Sequence, residues 1–187
     1  MLGVIDDVTA VATMDAKRPG DVVYVLGATH DELGGSEYYA LLGHLGSRVP
    51  RVDAAEARRL YEALSVAIVR GLASSCHDCS DGGLGVALAE TAFAGGLGMD
   101  VDLRLVPGAS DLRDDVTLFS ETPSRFVATV QAERVKAFED TLHGLPWAAV
   151  GRVTETHALR VIGRAGELII EVDIDRLKAA WQKPLDW

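Results

Sequence analysis

Residues 75–91 read Ser75-Cys76-His77-Asp78-Cys79-Ser80-Asp81-Gly82-Gly83-Leu84-Gly85-Val86-Ala87-Leu88-Ala89-Glu90-Thr91, and the fold turns on them. Ser75 to Ser80 is strand-like. Gly82-Gly83 then opens a helix in which Leu84, Ala87, Leu88 and Thr91 recur at helical spacing, stopping near Gly95-Gly96. Upstream, Val22 to Leu26 is a near-continuous apolar run that suits a central strand, set off by the Pro19-Gly20 turn. Asp7 to Asp15 alternates small or apolar residues with polar ones and reads as a strand. Ser36 caps a helix through Tyr39, Leu41 and Leu42 that closes at Gly43 or Gly46, and Asp53 caps one carrying Leu60, Leu64, Ala67, Ile68 and Gly71 on a single face. Downstream, Met99 to Leu105 alternates as a strand and Pro107 to Asp115 is a loop. Leu118 to Glu121 leads into a strand at Arg125 to Val130, and a helix begins near Ala132. Trp147 to Val153, Ala158 to Ile162 and Glu167 to Val172 look like a closing meander, followed by a helix over Ile174 to Trp181. Strands and helices mix without strict alternation. The expected fold class is therefore α+β, a mixed β-sheet with packed helices forming a single domain over 1–187.

The chain has 187 residues, 48% hydrophobic and 25% charged, with a formal net charge of −10. That balance suits a globular domain and argues against a nucleic-acid groove or an anionic membrane surface, both of which need clustered Lys and Arg. No apolar run is long enough to span a bilayer. The start, Met1-Leu2-Gly3-Val4-Ile5-Asp6-Asp7, lacks a basic n-region and a long apolar stretch, so no secretory signal is expected and the cytoplasm is the default. Anion binding survives the acidic balance, because helix-start N–H groups hold phosphate without cationic side chains.

Three segments can carry chemistry. Gly34-Gly35-Ser36-Glu37 places two glycines before a helix start, where a phosphate could sit; an ordinary N-cap with a glycine hinge is the alternative. His77 to Gly83 brings Asp78 and Asp81 to a glycine pair opening a helix, a pattern that suits Mg²⁺ at Asp78 and an anion at Asp81-Gly82-Gly83. The alternative makes Asp81 a cap and Asp78 a turn carboxylate. Phe119-Ser120-Glu121-Thr122-Pro123-Ser124-Arg125 offers an acid, hydroxyls and an arginine fork for a polar substrate, or a local Glu121–Arg125 pair. Cys76 and Cys79 have no second Cys or His pair to complete a zinc site, and neither opens the helix as a redox pair would. Burial as small hydrophobes is expected for both. Trp147, Trp181 and Trp187 read as packing residues.

Taken together, Leu26-Gly27-Ala28-Thr29, Asp31-Glu32-Leu33-Gly34-Gly35-Ser36-Glu37-Tyr38, His77 to Leu84, and Leu118-Phe119-Ser120-Glu121 with Ser124-Arg125-Phe126 resemble phosphoribosylformylglycinamidine synthase. The likeness is to its second copy of the C-terminal domain shared with aminoimidazole ribonucleotide synthetase. Ala87-Leu88-Ala89-Glu90 and Gly98 to Leu103 continue it, from about Gly3 to Val172. The resemblance implies a ligase of purine biosynthesis that uses ATP and Mg²⁺ to convert formylglycinamide ribonucleotide to its amidine with ammonia from glutamine. It implies a fragment of a longer synthase, inactive alone. Its partners would be the other synthase domains and the glutaminase subunit or domain, with a homodimer as an alternative assembly. In the first copy, an Asp at the place of Asp78 contributes to Mg²⁺ binding and an acid-Ser-Gln run at the place of Glu121-Thr122-Pro123 contacts substrate. Thr122 and Pro123 depart from that run, which the resemblance associates with the auxiliary second copy. A non-catalytic assembly module and a sister enzyme of the superfamily, such as aminoimidazole ribonucleotide synthetase or selenophosphate synthetase, are the competing readings.

Overall fold

The computed structural model describes residues 4, 5 and 7–185; Trp187 lies outside them. Seven strands, β1 (Val22–Leu26), β2 (Ser75–Asp78), β3 (Gly98–Asp102), β4 (Phe126–Val130), β5 (Trp147–Thr154), β6 (Ala158–Ile162) and β7 (Leu168–Asp173), form one sheet. Its order is β2-β4-β1-β5-β3-β6-β7. The β3–β6 pair is parallel and the other neighbours are antiparallel, so the sheet is mixed, as expected. The closing strands are not a simple meander, because β3 inserts between β5 and β6.

The helices are α1 (Glu37–Leu41), α2 (Ala54–Val69), α3 (Gly83–Gly95), α4 (Asp114–Phe119), α5 (Val135–Thr141) and α6 (Ile174–Gln182). Every residue of β1 is buried, and its side chains alternate between two cores. Val23 and Val25 join Leu84, Leu88 and Ala92 of α3 on one face. Val22, Tyr24 and Leu26 join Leu60 and Leu64 of α2 and Phe138 of α5 on the other. A continuously apolar strand is the pattern expected where both faces are covered. Tyr24 keeps its hydroxyl satisfied inside by donating to Glu139 at 2.7 Å.

Local signals explain the helix ends. Ser36 accepts from the Tyr39 N–H, and Asp53 accepts from Ala55 and Glu56. The C-cap of α3, Gly96, is left-handed.

Several expectations are corrected. Asp7 to Asp15 is not a strand; it lies beside β2 through a single bond from the Cys76 N–H to the Thr13 carbonyl. Its hydroxyls and acids bond locally instead, Thr9 to Asp7 and Thr13 to Asp15, which competes with ladder pairing. The strand begun at Met99 ends at Asp102, whose side chain caps a 3-10 turn over Leu103–Leu105. Helix α4 occupies residues read as loop and strand approach.

Asp21 enters β1 with 3% exposure, and its Oδ2 has no hydrogen-bond partner. Burial pushes its carboxyl above the usual range, so the folded state holds the proton to higher pH than the unfolded chain. Stability from this group is therefore present below the ordinary Asp value and lost as pH rises through the folded one. We predict that D21N stabilises the fold by about 1 kcal/mol at neutral pH, with the gain vanishing below about pH 4. Urea unfolding at the two pH values checks this, and equal stability of the two proteins at neutral pH would refute it.

Candidate functional site

The three segments singled out from the sequence meet at one carboxylate. Glu121 Oε1 accepts from the Glu37 N–H at 3.0 Å and from the Gly82 N–H at 2.9 Å. The starts of α1 and α3 are thereby held side by side. Gly82 reaches this position with φ of 79°, and a Cβ on Gly83 would sit 2.3 Å from the Ser120 carbonyl oxygen. The glycine pair thus lets α3 begin in close contact with the Leu118–Ser120 backbone.

The N–H groups expected to cradle a phosphate are consequently engaged within the protein. Gly34 donates to the Arg48 carbonyl and Gly35 to that of Leu45, each at 2.7 Å. The Ser36 hydroxyl donates to Leu33 O at 2.7 Å and the residue is buried. This is the N-cap and hinge alternative for Gly34-Gly35-Ser36. Gly83 donates to the Ser80 carbonyl at 3.0 Å. An anion at Gly82 would have to displace Glu121.

Arg125 is also turned inward. It is 1% exposed, with Nε donating to the Thr122 carbonyl at 3.0 Å, one Nη to Thr29 Oγ1 at 2.9 Å and the other to the Ser120 carbonyl. The fork expected to grip a substrate instead fixes the loop that carries Glu121. Burial holds its pKa below the ordinary arginine value, opposed by the neighbouring Glu32 and Glu121. No Glu121–Arg125 ion pair forms.

Asp78, Asp81 and Glu121 do share a hollow of about 340 Å³, lined also by Tyr61, Ser80 and Ser124. Asp78 and Asp81 are exposed at its rim. The Ser80 hydroxyl donates to Asp78 Oδ2 and holds that carboxyl below its usual range, so Asp78 is ionised at neutral pH. Gly34 lines a neighbouring hollow of about 300 Å³ with Asp31, Arg48 and Arg113. Among the described residues, the group of three ligand-bearing side chains that comes together is His157, Asp173 and Asp175, all exposed. Asp173 there caps α6 and Asp175 pairs with His157 at 3.0 Å.

Sequence reading missed Tyr61, whose hydroxyl lies 2.7 Å from that of Ser124, one of the hydroxyls in the Phe119–Arg125 segment. Ser124 is the non-glycine residue with positive φ, 60°, among the described residues. Tyr61 sits on the charged face of α2 and nothing in its spacing marks it. Both cysteines are free. Burial pushes the Cys76 thiol up to about 12 and the Cys79 thiol up to about 11, the opposite of a reactive or metal-binding thiolate.

Residues 18–164 match the family described as AIR synthase related protein, C-terminal domain. The chain is 34% identical over 188 residues to phosphoribosylformylglycinamidine synthase subunit PurL of Alkaliphilus metalliredigens, covering 99% of this chain and 24% of that protein. It is 37% identical over 193 residues to PurL of Caldanaerobacter subterraneus subsp. tengcongensis, covering 100% of this chain and 25% of that one. The chain therefore spans about a quarter of the length of these relatives. Among solved structures, Thermotoga maritima PurL complexed with FGAR superposes with a TM-score of 0.80 at 26% identity, over 91% of this chain and 30% of that one. The same protein has been solved complexed with ATP and within PurLQS.

Three substitutions separate a structural from a ligand-binding role for the inward groups. R125K is expected to lose about 3 kcal/mol, since a lysine cannot satisfy three fixed acceptors. E121A is expected to lose about 2 kcal/mol for two backbone bonds, whereas E121Q, which keeps an acceptor oxygen, stays near wild type. Chemical denaturation measures all three. An R125K protein as stable as wild type would return Arg125 to the ligand side.

Proposed function

The chain belongs to the AIR synthase related C-terminal domain family, and from that footing we propose that it works as one domain of a phosphoribosylformylglycinamidine synthase, forming one wall of a ligand cleft. The reaction is the ATP-dependent conversion of formylglycinamide ribonucleotide to its amidine with ammonia from glutamine. The observation that carries this reading is the convergence of Glu121, Asp78 and Asp81 on one open hollow, with Glu121 joining two helix starts. The relatives' names and the FGAR- and ATP-bound forms of the Thermotoga maritima protein support the substrate class.

The hollow is open on one side, and the chain alone does not enclose a nucleotide. Turnover therefore belongs to the whole synthase, with the missing walls supplied by its other domains and glutamine-derived ammonia by a glutaminase partner. Mg²⁺ fits the exposed carboxylates here only with help. Asp78 and Asp81 are a pair, not a cage, and Mg²⁺ typically takes one or two carboxylates and completes its shell with phosphate oxygens and water. Bound there, the ion would neutralise nucleotide phosphate charge. Asp78 and Asp81 would hold and orient it, while Glu121 and Arg125 keep the loop beneath them rigid. No helix among the described residues is long and apolar enough to cross a membrane.

A second reading, an assembly module, is favoured by Leu41, Leu42, Leu45, Val49 and Val52, all exposed around α1 and the loop after it. A chimera decides between the two readings. Replacing the matching domain of Thermotoga maritima PurL with this chain should preserve FGAR-dependent amidine formation within about tenfold, with D78N and D81N each lowering it by about tenfold or more. A folded but inactive chimera would overturn membership of the reaction. An active chimera indifferent to D78N and D81N would favour assembly alone. The isolated chain should release no phosphate from ATP in response to FGAR.

A further inference from the structure

We propose that the hydroxyls of Tyr61 and Ser124 form a sugar-recognition subsite in the hollow, taking a ribose hydroxyl of the ligand while the carboxylates at the rim face its cation-bearing phosphates. The inference rests on the hollow being the ligand cleft of the synthase reading, and adds which end of the ligand enters where.

The lining of the hollow is rich in acceptors and poor in donors. Asp78, Asp81 and Glu121 contribute carboxylates, which repel a bare phosphate and accept only from groups that carry hydrogen. The donors beside them are engaged within the protein. The Ser80 hydroxyl donates to Asp78, the Gly82 N–H to Glu121, and Arg125 to Thr122, Thr29 and Ser120. Among the lining side chains, Tyr61 and Ser124 keep an O–H for a ligand. Their oxygens lie 2.7 Å apart, so one hydrogen bridges them and the second O–H and the remaining lone pairs are left over. A ligand hydroxyl both donates and accepts and therefore matches the pair, and a neighbouring hydroxyl of the same sugar can donate to a carboxylate. A phosphate oxygen only accepts, matches half the pair and meets carboxylates on the other side.

The pair is held in place without a ligand. The Tyr61 ring stands edge-on against Phe126, with centroids 5.7 Å apart and planes at 83°. Ser124 has φ of 60°, a left-handed conformation that is strained for serine and open to glycine. It is fixed there from two sides. Arg125 follows it, buried and bonded at three donor positions, and its own carbonyl lies so close to Gly27 that a Cβ on that glycine would overlap it. Strain at a residue that glycine would relax is the pattern of a ligand clamp. What serine adds over glycine here is a hydroxyl, bonded to Tyr61 in the lining of the hollow.

S124G makes the test selective, because it removes the hydroxyl and relaxes the backbone together. It should unfold in urea at no lower concentration than wild type while binding sugar less well. Y61F removes the other hydroxyl and keeps the ring on Phe126. In the ¹⁵N-labelled chain with Mg²⁺, D-ribose 5-phosphate at up to about 20 mM should shift the amides of Glu121, Ser124 and Phe126. Y61F and S124G should each weaken that binding by about fivefold, the scale of one net hydrogen bond. Inorganic phosphate with Mg²⁺ should shift amides over residues 78–82 and leave Ser124 and Phe126 in place. No response of Ser124 and Phe126 to the sugar phosphate, an equal response to phosphate alone, or unaltered affinity in both variants would overturn the proposal. In the PurL chimera the two variants should raise a KM by about fivefold with kcat retained. A rise for FGAR assigns the ribose to that substrate, and a rise for ATP assigns it to the nucleotide; an active chimera with both KM values unchanged overturns the subsite. An inactive chimera, with the ribose 5-phosphate response of the chain intact, overturns the synthase reading alone.

Discussion

A single carboxylate oxygen holding two backbone N–H groups is the constraint on which the architecture of the site depends. Helix starts present uncompensated N–H groups that repel one another and attract an anion. Two such starts lie side by side here because Glu121 supplies the negative charge between them. Glu121 in turn needs a rigid loop, and Arg125 provides it by donating into the Thr122 and Ser120 carbonyls and to Thr29. A buried guanidinium without a directly paired acid is costly. It is tolerable because its three donor positions are satisfied and Glu32 and Glu121 are near.

The same constraint accounts for the ambiguity of the glycine-rich segments. Gly34-Gly35 and Gly82-Gly83 have the local chemistry of anion cradles, and an acidic group does occupy the second of them. The anion is the protein's own. A sequence pattern reports that backbone N–H groups will be free to meet a negative charge; it does not report whether that charge arrives on a ligand or on a side chain nearly 40 residues away.

Much of the fold was legible for physical reasons. Strand β1 announces itself because cover on both faces makes it continuously apolar, helices α2 and α3 because apolar residues recur along them at helical spacing, and Ser36, Asp53 and Gly96 mark ends through caps that only a few residue types can make. Helix α4 was not legible. It has six residues and Arg113 as an N-cap without a side-chain bond, too short for a period and with no start signal. Strand β3 between β5 and β6 was invisible too, since strand order is decided by long-range pairing. In the site, Asp78 and Asp81 could be picked out by charge beside glycine, and Glu121 as the acid in a run of hydroxyls that ends at an arginine. The inward turn of Arg125 could not, because an arginine before an apolar strand looks alike whether its fork points to solvent or to backbone carbonyls.

The surface around the hollow completes the physical picture. Tyr61 and Phe126 line both the acidic hollow and an adjoining groove of about 620 Å³ bounded by Val4, Ile5, Val11 and α2. A polar, charged opening that shares two lining residues with an apolar groove is poorly suited to water on both parts at once. Whatever covers the groove also meets Tyr61 and Phe126 at the edge of the acidic hollow. A neighbouring domain seated there would lower the dielectric around Asp78 and Asp81 and strengthen their hold on a cation. Seating that neighbour and closing the hollow would then be one event.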